Sequence, residues 1–421
     1  MQSPLFASLE DLLADPAVRQ GLARLEGRGP AMVETTMDWS RINSGSREVA
    51  GLSRMANVLA EAFGSLAPVE AAPIGPSRRV TAAGAVEEVS HPPALRVSVR
   101  PQAPVQVALT GHFDTVFPAS HPFQSPTLRP DGVLHGPGVA DMKGGLVVMK
   151  EALEAFETLP FKDRLGFEVL LSPDEEIGSP ASAPLLAEVG RRSQVGMTYE
   201  PGLPDGGLVN ARKGSAIFAL IVKGRAAHVG RAFEDGRSSV LAGAQAALAL
   251  NALNGQRSGV TVNVGAIEGG GPVNVVPDLA VVRFNVRVPD EEAGAWALAE
   301  VDRIVAEVAG HDGIAVDLTG GFTRPPKPLT PAQERLVDWT GRLAQSLGQT
   351  VRFAPSGGVC EGNNLAAAGC PNIDTLGPCG GALHSEDEFA IAASFAPRAQ
   401  LSFLMLAAFA AGVHDVRELR S

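Results

Sequence analysis

Two histidines and four acids stand in short segments flanked by glycine or proline. They are His112 in GHFDTVFP, Asp141 in HGPGVADMKGG, Glu175 and Glu176 in LLSPDEEIGS, Glu200 in YEPG and His384 in GALHSEDE. Hard carboxylates mixed with borderline imidazoles are the donors that a divalent cation takes in an open, hydrolytic site. The set reads as a dinuclear metal site.

Each member also has a plainer reading. His112 and Asp114 fit a core-edge histidine beside a solvated aspartate. Being two apart on an extended segment, they share a face. Asp114 can then accept a hydrogen bond from the distal imidazole nitrogen and fix the tautomer of a metal-bound ring. Asp141 fits a helix N-cap or a carboxylate that bridges two cations, close enough to share and polarise one hydroxide. Adjacent acids such as Glu175 and Glu176 are usually solvated loop charge. Their side chains point opposite ways, however, so Glu176 can bind metal while Glu175 reaches the water as general base. Glu200 in isolation is a weak signal.

These residues need elements to hold them. Apolar positions recur at three- and four-residue steps from about Ser8 to Phe63, which predicts helices. Further on, Val105–Leu109, Leu165–Leu171 and Gln194–Tyr199 read as strands, with Gly144–Leu159 and Pro180–Arg191 as helices between them. That alternation predicts an α/β domain with a mostly parallel sheet, whose ligands sit at the carboxyl ends of its strands. His112, Glu175, Glu176 and Glu200 each follow such a strand and fall on one rim. Between about 212 and 320 the order changes to strand, helix, strand, strand, helix, strand: Ser215–Lys223, Ser238–Leu253, Val260–Glu268, Leu279–Val288, Asp290–Ala309 and Ile314–Leu318. This is the β-α-β-β-α-β order of a ferredoxin-like unit. With candidate ligands on both sides of it, residues 212–320 are an insertion, expected to serve as a lid or dimerisation module. Residues 1–211 and 321–421 form the catalytic domain, with closing helices at Pro331–Leu347 and Ala390–Ala411.

Composition bounds the alternatives. A chain of 421 residues with 45% hydrophobic and 19% charged residues is globular and large enough for more than one core. The net charge of −11 argues against nucleic acid or an anionic membrane as partner. No membrane span and no signal peptide is read, so the expected location is cytoplasmic. Cys360, Cys370 and Cys379 lack C-x-x-C spacing and are read as buried small residues.

Taken in order, GHFDTVFP, GPGVADMKGG, SPDEEIG, YEPG, the AAHVG segment around His228, NVVPD and LHSEDE resemble the co-catalytic di-zinc metallopeptidase and deacylase family. That family includes glutamate carboxypeptidase, aminoacylase, acetylornithine deacetylase and succinyl-diaminopimelate desuccinylase, and glutamate carboxypeptidase looks most similar. The resemblance covers nearly the whole chain. It implies two zinc ions per subunit, with cobalt or manganese as substitutes. His112, Asp141 and Glu200 would hold one ion and Asp141, Glu176 and His384 the other, with Glu175 as base and a non-proline cis peptide after Asp141. It further implies that His228 reaches the partner subunit's active site in a homodimer, and that Asn274 and Arg287 hold a substrate carboxylate. By itself, His228 reads as a surface residue and Arg287 as an exposed salt-bridge partner.

The implied activity is amide hydrolysis that releases a C-terminal amino acid, with glutamate favoured by analogy, from an N-acyl amino acid or peptide. Deacylation of the acetylornithine or succinyl-diaminopimelate type uses the same residues, and a non-catalytic binding homologue is the third reading. Glutamate at position 200 suits the carboxypeptidase and deacylase branch over the aminopeptidases. The chain departs from carboxypeptidase-like members at SGGVCEGNN, where Val359 and Cys360 replace a Thr-Asp pair, so side-chain recognition is not carried over. Arg324, Asn363 and Asn364 remain pocket candidates.

Overall fold

The computed structural model describes residues 4–420. A six-stranded sheet organises the larger unit, in the spatial order Val69–Ala72, Ala94–Val99, Leu165–Ser172, Val105–His112, Val195–Thr198 and Asn372–Ile373. Five strands run one way, and Ala94–Val99 is antiparallel to both its neighbours. The central strands are near-continuous apolar runs because both faces are covered. Val107 and Leu109 enter the main core with Leu146 and Phe403, while Ala108 and Leu170 pack with Leu186, Val189 and Leu365 on the other side. The first face carries helices Pro16–Gly27, Lys143–Phe156 and Phe395–Ala411, and the second Ala183–Arg192 and Glu361–Ala367.

The smaller unit is an antiparallel sheet ordered Thr261–Gly269, Leu279–Val288, Gly214–Lys223, Ala315–Arg324, with helices Ser239–Asn251 and Glu291–Ala309. Each helix starts where a short polar side chain can satisfy free amide donors. Ser238 accepts from Leu241 N, and Asp290 from Ala293 N. The last strand reaches Arg324, well beyond the Leu318 end read from periodicity. Glycines at 320 and 321 and a register shift near Ser215 hide its alternation. The two chain connections of this unit run side by side: Arg212 N donates to the Lys327 carbonyl at 2.9 Å and Lys327 N to the Arg212 carbonyl at 3.0 Å. Both side chains grip the buried Asp374.

One helix was expected to begin too early. Phe389–Ile391 is a strand paired with Val133–His135, a short 3-10 turn follows, and the α-helix starts at Phe395. Ser394 alone interrupts an otherwise apolar stretch at that boundary, so composition could not locate it.

Candidate active site

His112 is the last residue of its strand, and Glu175–Ile177 forms a 3-10 turn just past Leu165–Ser172. Glu200 lies two residues after Val195–Thr198, so four candidate groups do occupy the carboxyl rim of the sheet. The Asp141–Met142 peptide is cis and Met142 caps helix Lys143–Phe156, which removes the N-cap reading of Asp141. The glycines of GPGVADMKGG let this helix lie tight on the rim: a Cβ on Gly145 would collide with the Tyr199 carbonyl, one residue before Glu200. His384 stands in the left-handed region at φ 62°. That conformation costs a non-glycine residue about 1–2 kcal/mol and persists where surroundings demand it.

Two groups of donor atoms converge, and they share one residue. Ligand atoms of His112, Asp141 and Glu200 lie within 4.8 Å of one another, as do those of Asp141, Glu176 and His384. His112 Nε2 is 3.1 Å from Asp141 Oδ1, and His384 Nε2 is 3.4 Å from Asp141 Oδ2 and 3.1 Å from Glu176 Oε2.

Asp114 is the hub behind them. Its carbonyl is 3.0 Å and its Oδ1 3.3 Å from His112 Nδ1. The carboxylate also accepts from the amides of Glu175 at 3.0 Å and Glu176 at 3.1 Å, and from Ser46 Oγ at 2.8 Å. One buried aspartate therefore fixes the imidazole and the acid pair together.

The electrostatics test whether cations fit. Burial and the neighbouring charge of Asp141 push the Glu176 carboxyl up to about 8, and the same causes raise Glu200 well above the carboxylate range. Hydrogen bonds to Asp141 and Glu176 raise His384 to about 11. Burial opposes charge on His112, yet contacts with Asp114 and Asp141 outweigh it and raise its pKa well above the usual value. The cluster holds protons where positive charge is needed. Glu200 Oε1, buried and without a hydrogen-bond partner, is aimed within 3.8 Å of His112 Nε2. Divalent cations fit this donor set by replacing those protons.

Glu175 points away from Glu176. Its Oε1 accepts from Arg324 at 2.6 Å, and the fully buried guanidinium also donates to Asn364 Oδ1 at 2.6 Å. Sequence reasoning gave Arg324 and Asn364 no definite role, and nothing in their own segments reveals the pairing. Glu388 was missed as well. Buried at the end of LHSEDE, it accepts from the amides of Gly138, Ala140 and Asp141 at 3.0–3.1 Å and so sets the Asp141 loop. The cysteines are free and buried; Cys360 caps helix Glu361–Ala367.

The remaining residues are divided. Arg287 is half-buried in the cleft beneath the smaller sheet, its Nε donating to Asn285 Oδ1 at 2.8 Å, with no carboxylate partner among the described residues. His228 and Asn274 lie side by side elsewhere. His228 pairs with Val275 and Val229 N donates to the Asn274 carbonyl at 3.0 Å, both residues being exposed. Neither joins the acid–histidine cluster of its own chain.

Comparison with known proteins places the chain in a family. The chain is 26% identical over 293 residues to carboxypeptidase G2 of Pseudomonas sp. (strain RS-16), covering 69% of this chain and 70% of that protein. It is 31% identical over 310 residues to a succinyl-diaminopimelate desuccinylase of Stenotrophomonas maltophilia, covering 68% and 79%. Its fold matches a tripeptidase of Staphylococcus aureus with a TM-score of 0.70, at 22% identity over 91% of this chain and 98% of that one. An M20 family metallo-carboxypeptidase of Sulfolobus solfataricus matches with a TM-score of 0.68, at 15% identity over 90% and 99%. Residues 108–408 match the model of peptidase family M20/M25/M40, a family of metal-dependent hydrolases, and the chain belongs to it.

Proposed function

We propose that this protein is a di-zinc amidohydrolase that releases a C-terminal amino acid, with glutamate favoured, from an N-acyl amino acid or short peptide. The observation that carries the reading is the pair of donor groups sharing Asp141 beside a separately held Glu175. His112, Asp141 and Glu200 would hold one zinc and Asp141, Glu176 and His384 the other, with cobalt or manganese as substitutes. Such cations supply Lewis acidity, polarising the scissile carbonyl and acidifying a water.

The chain's own groups do the rest. Arg324 holds Oε1 of Glu175, which leaves Oε2 to take the proton as water oxygen bonds to the carbonyl carbon. The same carboxylic acid then gives that proton to the nitrogen as the C–N bond breaks. Arg287, half-buried, oriented by Asn285 and without an acid beside it, suits a substrate carboxylate.

His228 and Asn274 are assigned to the active site of a partner subunit, where His228 would donate to the developing oxyanion. Their exposure in their own chain supports a homodimer through the smaller unit. So do Leu241 and Leu248, 61% and 72% exposed on helix Ser239–Asn251, beside edge strand Thr261–Gly269, whose outer side is unpaired among the described residues. Residues 212–320 are then a lid hinged where Arg212 and Lys327 meet Asp374. No helix among the described residues is long and apolar enough to cross a membrane; the substrate is taken to be a small molecule in the cytoplasm.

Deacylation is the second reading, supported by the named desuccinylase relatives. A panel of N-acyl amino acids and dipeptides, given to zinc-loaded protein and its Glu175→Gln variant, decides the matter. Release of free glutamate that the variant lacks is expected. Release confined to succinyl or acetyl substrates of diamino acids supports the deacylase, and silence across the panel removes the hydrolytic reading.

A further inference from the structure

The cleft between the smaller sheet and the larger unit holds a cavity of about 1250 Å³. That exceeds the usual 300–1,000 Å³ of a small-molecule pocket. Its lining includes five arginines and a histidine and not one aspartate or glutamate, in a chain whose acids outnumber its arginines and lysines by 46 to 35. Arg79 and Arg283 pair with Glu87 and Glu268 outside the lining, whereas Arg47, Arg78 and Arg287 have no ion pair among the described residues, so the lining favours an anionic occupant.

The lining has a direction. On strand Leu279–Val288 the even-numbered Val282, Phe284, Val286 and Val288 enter the small unit's own core, and Arg283, Asn285 and Arg287 share the opposite, half-buried face. Arg287 lies at the catalytic end: Ser215 pairs in register with both Arg287 and Arg324, and Arg324 holds Glu175. Arg283, four residues back, is about 13 Å farther along the cleft.

A hairpin of the larger unit, Ser77–Val80 with Val86–Val89, closes that far end. Val80 packs with Ala219, Ile221 and Val281, and its carbonyl accepts from Arg283 Nη2 at 2.8 Å. Arg78, two residues before Val80, is exposed and lines the same cavity. It has no ion pair among the described residues, and Glu88, opposite it in register, forms none with it. Arg283 gives Nε to Glu268, which leaves its Nη1 unpartnered. The hairpin thus places Arg78 on the lining of the same cavity as Arg283, whose guanidinium is paired through Nε with Glu268 and keeps Nη1 free.

We propose that Arg283 and Arg78 form a second anion subsite, and that the substrate is elongated, with one carboxylate at Arg287 and a second about 13 Å away. The substrate class is an acidic peptide or peptide-like acyl compound about four residues long. This deepens the amidohydrolase reading and rests on it for the role of Arg287.

The test is calorimetric titration of the zinc-loaded Glu175→Gln protein, which does not turn ligand over, with N-acetyl-Glu-Gly-Gly-Glu and N-acetyl-Gln-Gly-Gly-Glu. The two ligands differ only in the remote charge. The Glu peptide is expected to bind about tenfold tighter or more, as a charged hydrogen-bonded contact gives. Adding Arg78→Glu should erase that preference and Arg78→Lys should retain much of it. Equal affinities, a preference that survives Arg78→Glu, or no binding of either peptide overturns the subsite. Hydrolysis by the wild-type protein is scored separately. Discrimination without hydrolysis keeps the subsite and sinks the amidohydrolase reading, whereas hydrolysis without discrimination does the reverse.

Discussion

The rim of the large sheet and the exposed turn around His228 and Asn274 stand in opposite physical states. On the rim, His112, Asp114, Asp141 and Glu200 are buried and cross-linked within one chain, and Glu388 and Arg324 hold neighbouring backbone and acid in place. At the turn, the His228 side chain makes only a local bond among the described residues, its Nδ1 accepting from Gly230 N at 3.1 Å. A group meant to act where it stands is surrounded by partners. The proposed role of His228 on a second copy of the chain accounts for its lack of partners here.

Glu175→Gln gives the sharpest contrast. It keeps size and metal ligands but removes the proton acceptor, so kcat should fall by about 10²–10⁴-fold. Metal analysis should still find two ions, and near-normal turnover would remove Glu175 from the mechanism. His228→Ala should cost about 10²–10³-fold in kcat, as loss of an oxyanion donor does, with metal content and melting temperature unchanged. An unaffected rate would leave the turn without a catalytic part.

Asp374→Asn probes the hinge instead. Asp374 lies within 2.7–2.9 Å of Lys327 and Arg212, and burial alone would raise its pKa; the two cations reverse this and hold it at about 2. Its contribution is therefore present above the ordinary carboxylate pKa of about 4 and is lost as pH falls through 2. Removing the charge strands two buried cations and should cost about 3–5 kcal/mol in denaturant unfolding at pH 7. A loss under about 1 kcal/mol would show that the clamp does not hold the two connections.

The smallest effect concerns protons. Because hydrogen bonds to Asp141 and Glu176 raise His384 to about 11 without metal, the His384–Glu176 pair carries a proton at neutral pH that a cation must displace. Zinc binding should release protons and tighten as pH rises from 7 through 8. Calorimetry in buffers of different ionisation enthalpy measures this, and binding without proton release would mean that the cation sits elsewhere.

Much of this was readable in the residues. The alternation of strands and helices placed the rim, and the segments around His112, Asp141, Glu175, Glu200 and His384 named the donors that converge there. What stayed hidden depends on contacts between distant segments. Arg324 meets Glu175 across 149 positions, and Glu388 meets Ala140 across 248. No local pattern encodes either pairing. Periodicity also failed where it is blurred, at the glycines of Ala315–Arg324 and in the apolar run before Phe395.

The proposed active site is completed by two chains, and mixed dimers test that most directly. His228→Ala subunits and Glu175→Gln subunits, each nearly inactive as homodimers, would be dissociated, mixed and reassociated, and release of free amino acid followed. A mixed dimer contains one site with Glu175 from its own chain and His228 from its partner, so a substantial share of wild-type activity should return. If verified mixed dimers remain as inactive as either parent, His228 does not act across the interface.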